Sequence, residues 1–356
     1  MRILYVSDAL SIHTRRWAEA FRDRGAEVHI ASFRPAEIRG VVVHTLPTAG
    51  LGKLGYLLAV PALRRLVARL KPEVVHAQYV TSYGFVAAMA GLKPLVVTAW
   101  GTDVLIAPRE SALSRWLAQR ALAAADQVTT VAEHMNTAVT ALGVPADRVL
   151  ALPFGVDTVR FHPPAEPRPP AAPLRVISTR NFAPVYSVHT VVDAVQRVCG
   201  GGRDVHLDLV GAGPLQAELE AQVQAAGLGA RVSFHGHVDH PRLVALLGAA
   251  HVFVSSAVSD GNNVSLNEAM ACGCFPLATE IPANTQWIED GRNGGLFPPG
   301  DAARLAAWIE RAATDPALCA AAAAENRRIV EQRADWRVAV ERMNTVYERL
   351  ARGGAR

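Results

Sequence analysis

The sequence is short of several features that would each have fixed a function class. Its four cysteines, Cys199, Cys272, Cys274 and Cys319, are not in the Cys-x-x-Cys spacing that a structural zinc site or a redox pair needs, and they are read as reduced, mostly packed thiols. No stretch approaches the ~18–20 consecutive apolar residues of a transmembrane helix, and the apolar run after Met1 is too short for a signal peptide. A cytoplasmic protein is therefore expected. A Gly-x-Gly-x-x-Gly fingerprint is also missing. The nearest approach, Gly211-Ala-Gly-Pro-Leu-Gln216, has proline after the second glycine and Gln216 where the third belongs. An NAD-dependent oxidoreductase would need that fingerprint and a later acid, and neither half supplies them. Lysine stops at Lys93, so any cation in the rest of the chain is an arginine or a histidine.

What is present fits a loop-rich α/β enzyme. The 356 residues, half of them hydrophobic, with 27 Gly and 22 Pro, exceed what one compact core usually fills, and two domains are expected. The net charge of +4 is unevenly spread. Residues 1–170 hold 19 Lys+Arg against 13 Asp+Glu, and residues 171–356 hold 17 against 19. The excess in the first half either faces an anionic substrate or membrane surface, or is ordinary solvated charge. Nothing in the sequence calls for a nucleic-acid partner.

Short apolar or β-branched runs at Arg2–Ser7, Glu27–Ser32, Val41–Thr45, Val74–Ala77, Leu95–Thr98, Gln127–Val131 and Val149–Leu152 alternate with helix-length segments such as Thr14–Arg24 and Ser111–Ala125. Continuous apolar strands separated by helices predict a parallel sheet covered on both faces. The pattern stops at His162–Pro173, where six prolines cannot donate ladder hydrogen bonds. It restarts with Leu174–Ser178, Val205–Val210, Val232–His235, Val252–Val254 and Phe275–Ala278. The expected organisation is a first Rossmann-like domain over 1–161, a linker over 162–173 and a second Rossmann-like domain over 174–336, with a final helix over about 337–356 returning to the first domain. In such sheets ligands bind beyond the carboxyl ends of the strands at the topological switch point, and two sheets facing each other would frame a cleft.

The most informative segment runs from Ser255 to Pro276. It follows a buried strand, passes through small and turn-forming residues, and enters a helix near Val264, with Asp260 and Glu268 eight positions apart. Free backbone N–H groups at a helix start attract a diphosphate, and a carboxylate two turns further on can accept two ribose hydroxyls. Asp260-Gly261, with Glu268-Ala-Met-Ala271, resembles the acidic-x7-Glu signature of the GT4 family of retaining glycosyltransferases, which usually reads Glu-Gly-Phe-Gly-Leu-Pro-x-x-Glu-Ala-Met-Ala. The resemblance implies the GT-B fold, two doubly wound α/β domains facing a central cleft. It also assigns roles: Asp260 to the donor sugar; Gly261, Asn262 and the amides of Asn263, Val264 and Ser265 to the pyrophosphate end of the donor; Glu268 to the ribose.

Further stretches extend the resemblance over almost the whole chain. Val149–Phe161 is similar to the family's Asn-Gly-Val-Asp-x-x-x-Phe stretch, Leu209–Pro214 to its Gly-x-Gly-Pro strand end, and Val232–Val238 to its base-binding loop. Backbone atoms near His237 and Val238 are thereby expected at the nucleobase. A reading of His235, His237 and His240 as metal ligands is the weaker alternative. Where the family carries an Arg and then a Lys-Gly for the diphosphate, this chain has Arg180 followed by Tyr186-Ser187. The leaving charge is then left to Arg180, the helix amides and Arg292. A tyrosine hydroxyl brings no charge, which lowers donor affinity by something like 1–3 kcal/mol.

On the acceptor side, Thr98–Asp103 resembles the family's His-Gly-Thr-Asp loop, with Trp100 where the histidine is expected, followed by Gly101 and the ionisable Asp103. Asp103 either meets substrate or braces the loop. His13 and Arg15, in the loop after the first strand, stand in for the paired glycines many relatives use there, or contact the acceptor; a helix-entry histidine is the plainer reading of His13. The expected catalytic set is Asp260, Arg180, Asp103 and His13. The chain has no Asp-x-Asp, so the implied reaction needs no metal and no cofactor beyond its UDP- or GDP-sugar co-substrate. The expected acceptor is a hydroxyl on a glycan, lipid-linked or small molecule. The basic amphipathic stretches Pro61–Lys71 and Arg109–Arg120 are either ordinary domain helices or a peripheral membrane contact. The departures at Tyr186 and Trp100 keep a second reading open, a catalytically silent nucleotide-sugar-binding protein or partner subunit.

Overall fold

The computed structural model describes residues 1–48, 50, 55–165 and 173–353, in two compact units, Met1–Phe154 with Arg337–Arg356 and Gly155–Trp336. The first unit is built on seven parallel strands: β1 (Arg2–Val6), β2 (Glu27–Ser32), β3 (Val42–Thr45), β4 (Val74–Gln78), β5 (Leu95–Ala99), β6 (Gln127–Thr130) and β7 (Val149–Ala151). Their spatial order is β3-β2-β1-β4-β5-β6-β7, so the order reverses between β1 and β4. Residues of β4 and β5 are buried throughout, as strands covered on both faces must be. The coverings are α1 (Ile12–Asp23), α2 (Tyr56–Leu70), α3 (Phe85–Met89), α4 (Thr102–Leu105), α5 (Ala107–Glu110), α6 (Ala112–Ala124) and α7 (His134–Ala141).

The second unit repeats the plan with β8 (Leu174–Ser178), β9 (Val205–Val210), β10 (Val232–Gly236), β11 (Val252–Ser255), β12 (Phe275–Thr279) and β13 (Gly295–Phe297), ordered β10-β9-β8-β11-β12-β13. Its helices are α8 (Val188–Gly200), α9 (Gln216–Ala225), α10 (His240–Ala249), α11 (Val264–Ala271), α12 (Pro282–Thr285), α13 (Ala302–Thr314) and α14 (Pro316–Arg333). Here the reversal falls between β8 and β11. The segments leaving those two strands, Ser178–Arg180 and Ser255–Asn263, therefore emerge side by side at a topological switch point, the place where such sheets bind ligands.

The last helix, α15 (Trp336–Gly353), joins the first unit through its buried face. Tyr347, fully buried, shares a hydrogen bond of 2.5 Å with Nδ1 of His76 on β4 and one of 3.2 Å with the Tyr5 hydroxyl on β1. The His76 Nε2 in turn meets the Thr98 hydroxyl at 2.5 Å. Burial pushes the His76 imidazole down to about 3, so it is neutral within this network.

The boundary expected at 161/162 is corrected to 154/155. Residues 155–161 belong to the second unit because Val156 pairs with Asp335, Phe161 is buried in the second core, and Arg327 of α14 donates to the carbonyls of Thr158 and Phe161. Gly155 makes the crossing possible: its φ is +69°, and a Cβ there would stand 2.8 Å from the Trp336 Cα. The proline-rich linker, apart from residues 162–165 and 173, lies outside the described residues. Among the described residues no helix is long and apolar enough to cross a membrane.

Candidate functional site

In the second unit the site grows from the end of β8. Arg180, 8% exposed, donates from Nη2 to Asp260 Oδ2 at 2.5 Å and from Nη1 to Asn263 Oδ1 at 2.8 Å. Its guanidinium carbon also lies 4.3 Å from the centre of the Tyr186 ring. Arg180 is thus held by a carboxylate, an amide and an aromatic face at once. Tyr186 sits in the 3-10 turn Pro184–Tyr186, pinned by the Ser256 hydroxyl donating to its carbonyl at 2.8 Å. Ser187 follows with φ +48°, so the backbone keeps the left-handed conformation that suits glycine even though the residue is serine.

Asn263 caps α11, its Oδ1 accepting from the Leu266 N–H at 3.1 Å. Its Nδ2 donates to Ser255 Oγ and to Asn284 Oδ1, both at 2.9 Å, and Asn284 donates onward to the Thr279 carbonyl. This hub locks the end of β11, the start of α11 and α12 into one geometry. It also corrects the sequence reading of the helix mouth. The Val264 N–H is turned onto the Asn262 carbonyl at 3.0 Å and the Leu266 N–H is capped, which leaves the N–H groups of Asn263 and Ser265 without a protein acceptor among the described residues. Asp260 and Arg180, expected at sugar and diphosphate, are brought together and pair with each other. Arg292 is corrected outright: it is exposed and spends its charge on Glu289 and Glu325.

Around this frame lie buried polar atoms with no protein partner among the described residues: Ser178 Oγ, Thr179 Oγ1, Arg180 Nε, both amide atoms of Asn262, and Asn267 Nδ2. Leaving such a group unpaired costs about 1–3 kcal/mol, so their concentration at one strand end and one helix start is the mark of a polar site rather than a core. Glu268 is half-buried on α11, one turn beyond the helix mouth. Gly211, at φ +141°, packs so closely on Arg180 that a Cβ would stand 2.5 Å from the Arg180 carbonyl oxygen. Its N–H donates to the Gly236 carbonyl at 2.9 Å, which ties the loop carrying His237 and Val238 to the same layer. His237 is exposed there, and Val238 packs against the second core. His235 is bonded to Asp208 at 2.8 Å, and among the described residues no three His, Cys, Asp or Glu side chains gather as a metal set.

In the first unit, Asp103 is fully buried, its carboxylate accepting from the N–H groups of Val80 at 2.8 Å, Gly101 at 2.8 Å and Trp100 at 3.0 Å. Burial raises its pKa against the lowering effect of those amides. The catalytic assignment of Asp103 is therefore corrected to bracing the loop, since no oxygen of it is left for substrate. His13 stacks on Phe154 with ring centres 3.8 Å apart and meets Trp100 edge-on at 5.7 Å. Burial, helped by Arg16, holds its imidazole down to about 4, so at neutral pH it offers an uncharged donor or acceptor. Trp100 Nε1 is buried and has no hydrogen-bond partner among the described residues. Arg15 is tethered by Nε to the Ala9 carbonyl at 3.0 Å.

Sequence reasoning missed Tyr79. It follows β4 at the switch point with φ +73°, bonds Thr102 Oγ1 at 3.0 Å and stands edge-on to Trp100 at 6.2 Å. Its place directly after a central strand was the available signal.

Two family models match the chain, one described as glycosyl transferase 4-like over residues 2–132 and one as glycosyl transferases group 1 over residues 164–329. Among curated relatives, the glycogen synthase of Mycobacterium tuberculosis is 25% identical over 295 residues, 80% of this chain and 70% of that one. The 2-deoxystreptamine glucosyltransferase of Streptomyces kanamyceticus is 28% identical over 282 residues, 75% and 67% of the two chains. Among solved structures, HepE of Anabaena in complex with UDP and glucose superposes with a TM-score of 0.82 at 22% identity, covering 98% of this chain and 100% of that one. Sucrose-phosphate synthase from Thermosynechococcus elongatus gives 0.83 at 22% identity, covering 98% and 99%.

Proposed function

Because this chain belongs to the group 1, GT4-type glycosyltransferases with the GT-B fold, we propose that it moves a sugar from a UDP- or GDP-sugar to a hydroxyl acceptor with retention of configuration and without a metal. The observation that carries the proposal is the convergence of Arg180, Asp260, the α11 mouth and the unpartnered atoms of Ser178, Thr179, Asn262 and Asn267 at one switch point. The diphosphate is met by Arg180 and the N–H groups of Asn263 and Ser265, the ribose by Glu268, and the transferred sugar by Asp260 and the Asn262 amide. UDP is the first nucleotide to test, since the HepE structure holds UDP and glucose.

No protein nucleophile is required. The acceptor hydroxyl attacks from the face the diphosphate leaves, its proton passing to a donor phosphate oxygen, while the protein positions the reactants and stabilises the departing charge. In the first unit the acceptor meets the His13, Trp100 and Tyr79 surface, where a sugar ring finds apolar faces and the uncharged imidazole. Leu57, Leu58, Leu113 and Trp116 are exposed on α2 and α6, which supports a peripheral membrane contact of this unit on the cytoplasmic side.

Purified protein incubated with UDP- and GDP-hexoses and a panel of glycan, lipid-linked and small acceptors should release nucleoside diphosphate. The anomeric configuration of the product reads out retention, and excess EDTA should leave the rate unchanged. A second reading, a silent nucleotide-sugar-binding protein or partner subunit, is favoured by the Arg180–Asp260 pair and by Trp100. Diphosphate binding with no turnover on the whole panel would select it.

A further inference from the structure

An open pocket, with Thr45, Arg65 and Arg69 exposed on its walls, lies in the first unit, away from the loops after β1, β4 and β5. It measures about 340 Å³ and is lined by His44, Thr45 and Leu46 at the carboxyl end of β3 and by Ala62, Arg65, Leu66 and Arg69 of α2. The residues β3 brings to it are at an edge of the sheet, two strands from β1 and so ~10 Å from it, on the same carboxyl side.

The cations here are not balanced. Helix α2 has no acidic residue in its 15 positions. Its first interior arginine, Arg64, is spent on the carbonyls of Met89 and Ala90 at the end of α3. Arg65 and Arg69, one helical turn apart, have no carboxylate partner among the described residues. Like charges at this spacing destabilise a helix slightly, a cost that a bound anion would reverse.

The opposite wall is an oriented relay. Glu27 Oε1 meets His29 Nε2 at 3.0 Å, and His29 Nδ1 meets His44 Nε2 at 3.1 Å. With the carboxylate accepting from His29, the His44 Nε2–H donates to His29, and the His44 Nδ1 is left without a protein partner among the described residues. Burial first, then His29 and Arg69, hold the His44 imidazole below its ordinary value.

We propose that the Arg65–Arg69–His44–Thr45 cavity is a binding site for a compact phosphate-type oxyanion, gripped by two guanidiniums and the Thr45 hydroxyl. It is separate from the diphosphate site of the second unit and does not depend on the transfer reaction. The oxyanion belongs either to a free phosphate compound or to a lipid headgroup.

The full chain is titrated with inorganic phosphate at low ionic strength, with calorimetry and the His44 ring resonances as readouts, beside the double variant Arg65→Gln/Arg69→Gln. Saturable binding with shifts at His44 is expected, weakened about tenfold or more in the double variant. UDP affinity should be the same in both proteins, so a failed donor reading shows in the UDP arm alone. A phosphate response absent at His44, or undiminished in a double variant of unchanged melting temperature, overturns the site. In a second arm, co-sedimentation with phosphatidic acid vesicles that free phosphate and the double substitution both relieve assigns the oxyanion to a headgroup. Sedimentation that survives both overturns headgroup capture at this cavity.

Discussion

Replacing Asp260 by Asn separates two roles of one carboxylate. Arg180 and Asp260 are 8% and 16% exposed and meet at 2.5 Å, so removing the charge while keeping the shape leaves Arg180 with the Asn263 oxygen and the Tyr186 ring. Two opposite charges about 4 Å apart attract by about 4 kcal/mol at an effective dielectric of 20, but desolvation offsets much of it. A stability loss of about 1–3 kcal/mol is expected. Nucleotide binding moves the other way. A diphosphate reaching Arg180 also stands about 6 Å from the carboxylate, a repulsion of ~3 kcal/mol before solvent screening, and relieving about half of it tightens binding about tenfold. Turnover falls by two orders of magnitude or more if Asp260 holds the sugar, since that contact is lost in the transition state. Calorimetry with UDP and GDP at 50 and 300 mM salt, together with a melting curve, reads all of this, and the affinity gain should shrink at high salt. An unchanged or weaker diphosphate affinity in a well-folded Asp260→Asn protein would refute competition between carboxylate and diphosphate for Arg180.

Glu268→Ala should abolish turnover and weaken UDP or GDP binding; unchanged kinetics would remove Glu268 from the ribose. Tyr186→Phe should leave melting temperature and diphosphate affinity alone, whereas Tyr186→Ala should cost about 0.5–2 kcal/mol by uncovering Arg180. Equal effects of the two would show that the ring face is not what matters. Asp103→Asn puts an N–H₂ against backbone N–H groups and should destabilise the first unit by about 1–3 kcal/mol, with donor affinity unaffected in protein that remains folded. Finally, His76 and His13 are held at about 3 and about 4, so between those values and an unfolded value near 6.5 the unfolded chain binds protons that the native state refuses. Stability should therefore fall as pH drops below about 6.5, and His76→Gln should flatten the slope of melting temperature against pH.

The strand pattern was legible because a strand buried on both faces is largely apolar along its length, as Leu95–Val97 and Phe275–Ala278 are. Missed was β13, whose three residues are too few for a period to show. The segment 155–161 was placed in the wrong domain because its partner, Asp335, is far along the chain. Asp260 and Glu268 stood out by their spacing across a helix start, whereas Arg180 was singled out only by the resemblance to the family's Arg-then-Lys-Gly stretch. Composition of the helix mouth could not tell which amides were free, since a capping asparagine and a ligand-binding one are the same residue until their neighbours are placed.

The sequence by itself determined the two α/β units and the acidic-x7-Glu helix, because burial on both sheet faces and a helix start each leave a local pattern in residue types. Only the tertiary structure decided that Arg180 is held by Asp260, Asn263 and Tyr186, that Asp103 braces its loop, and that Tyr347 closes on His76. Those contacts join residues 80, 23 and 271 positions apart. Their energy depends on distance and burial, which no single stretch of chain records.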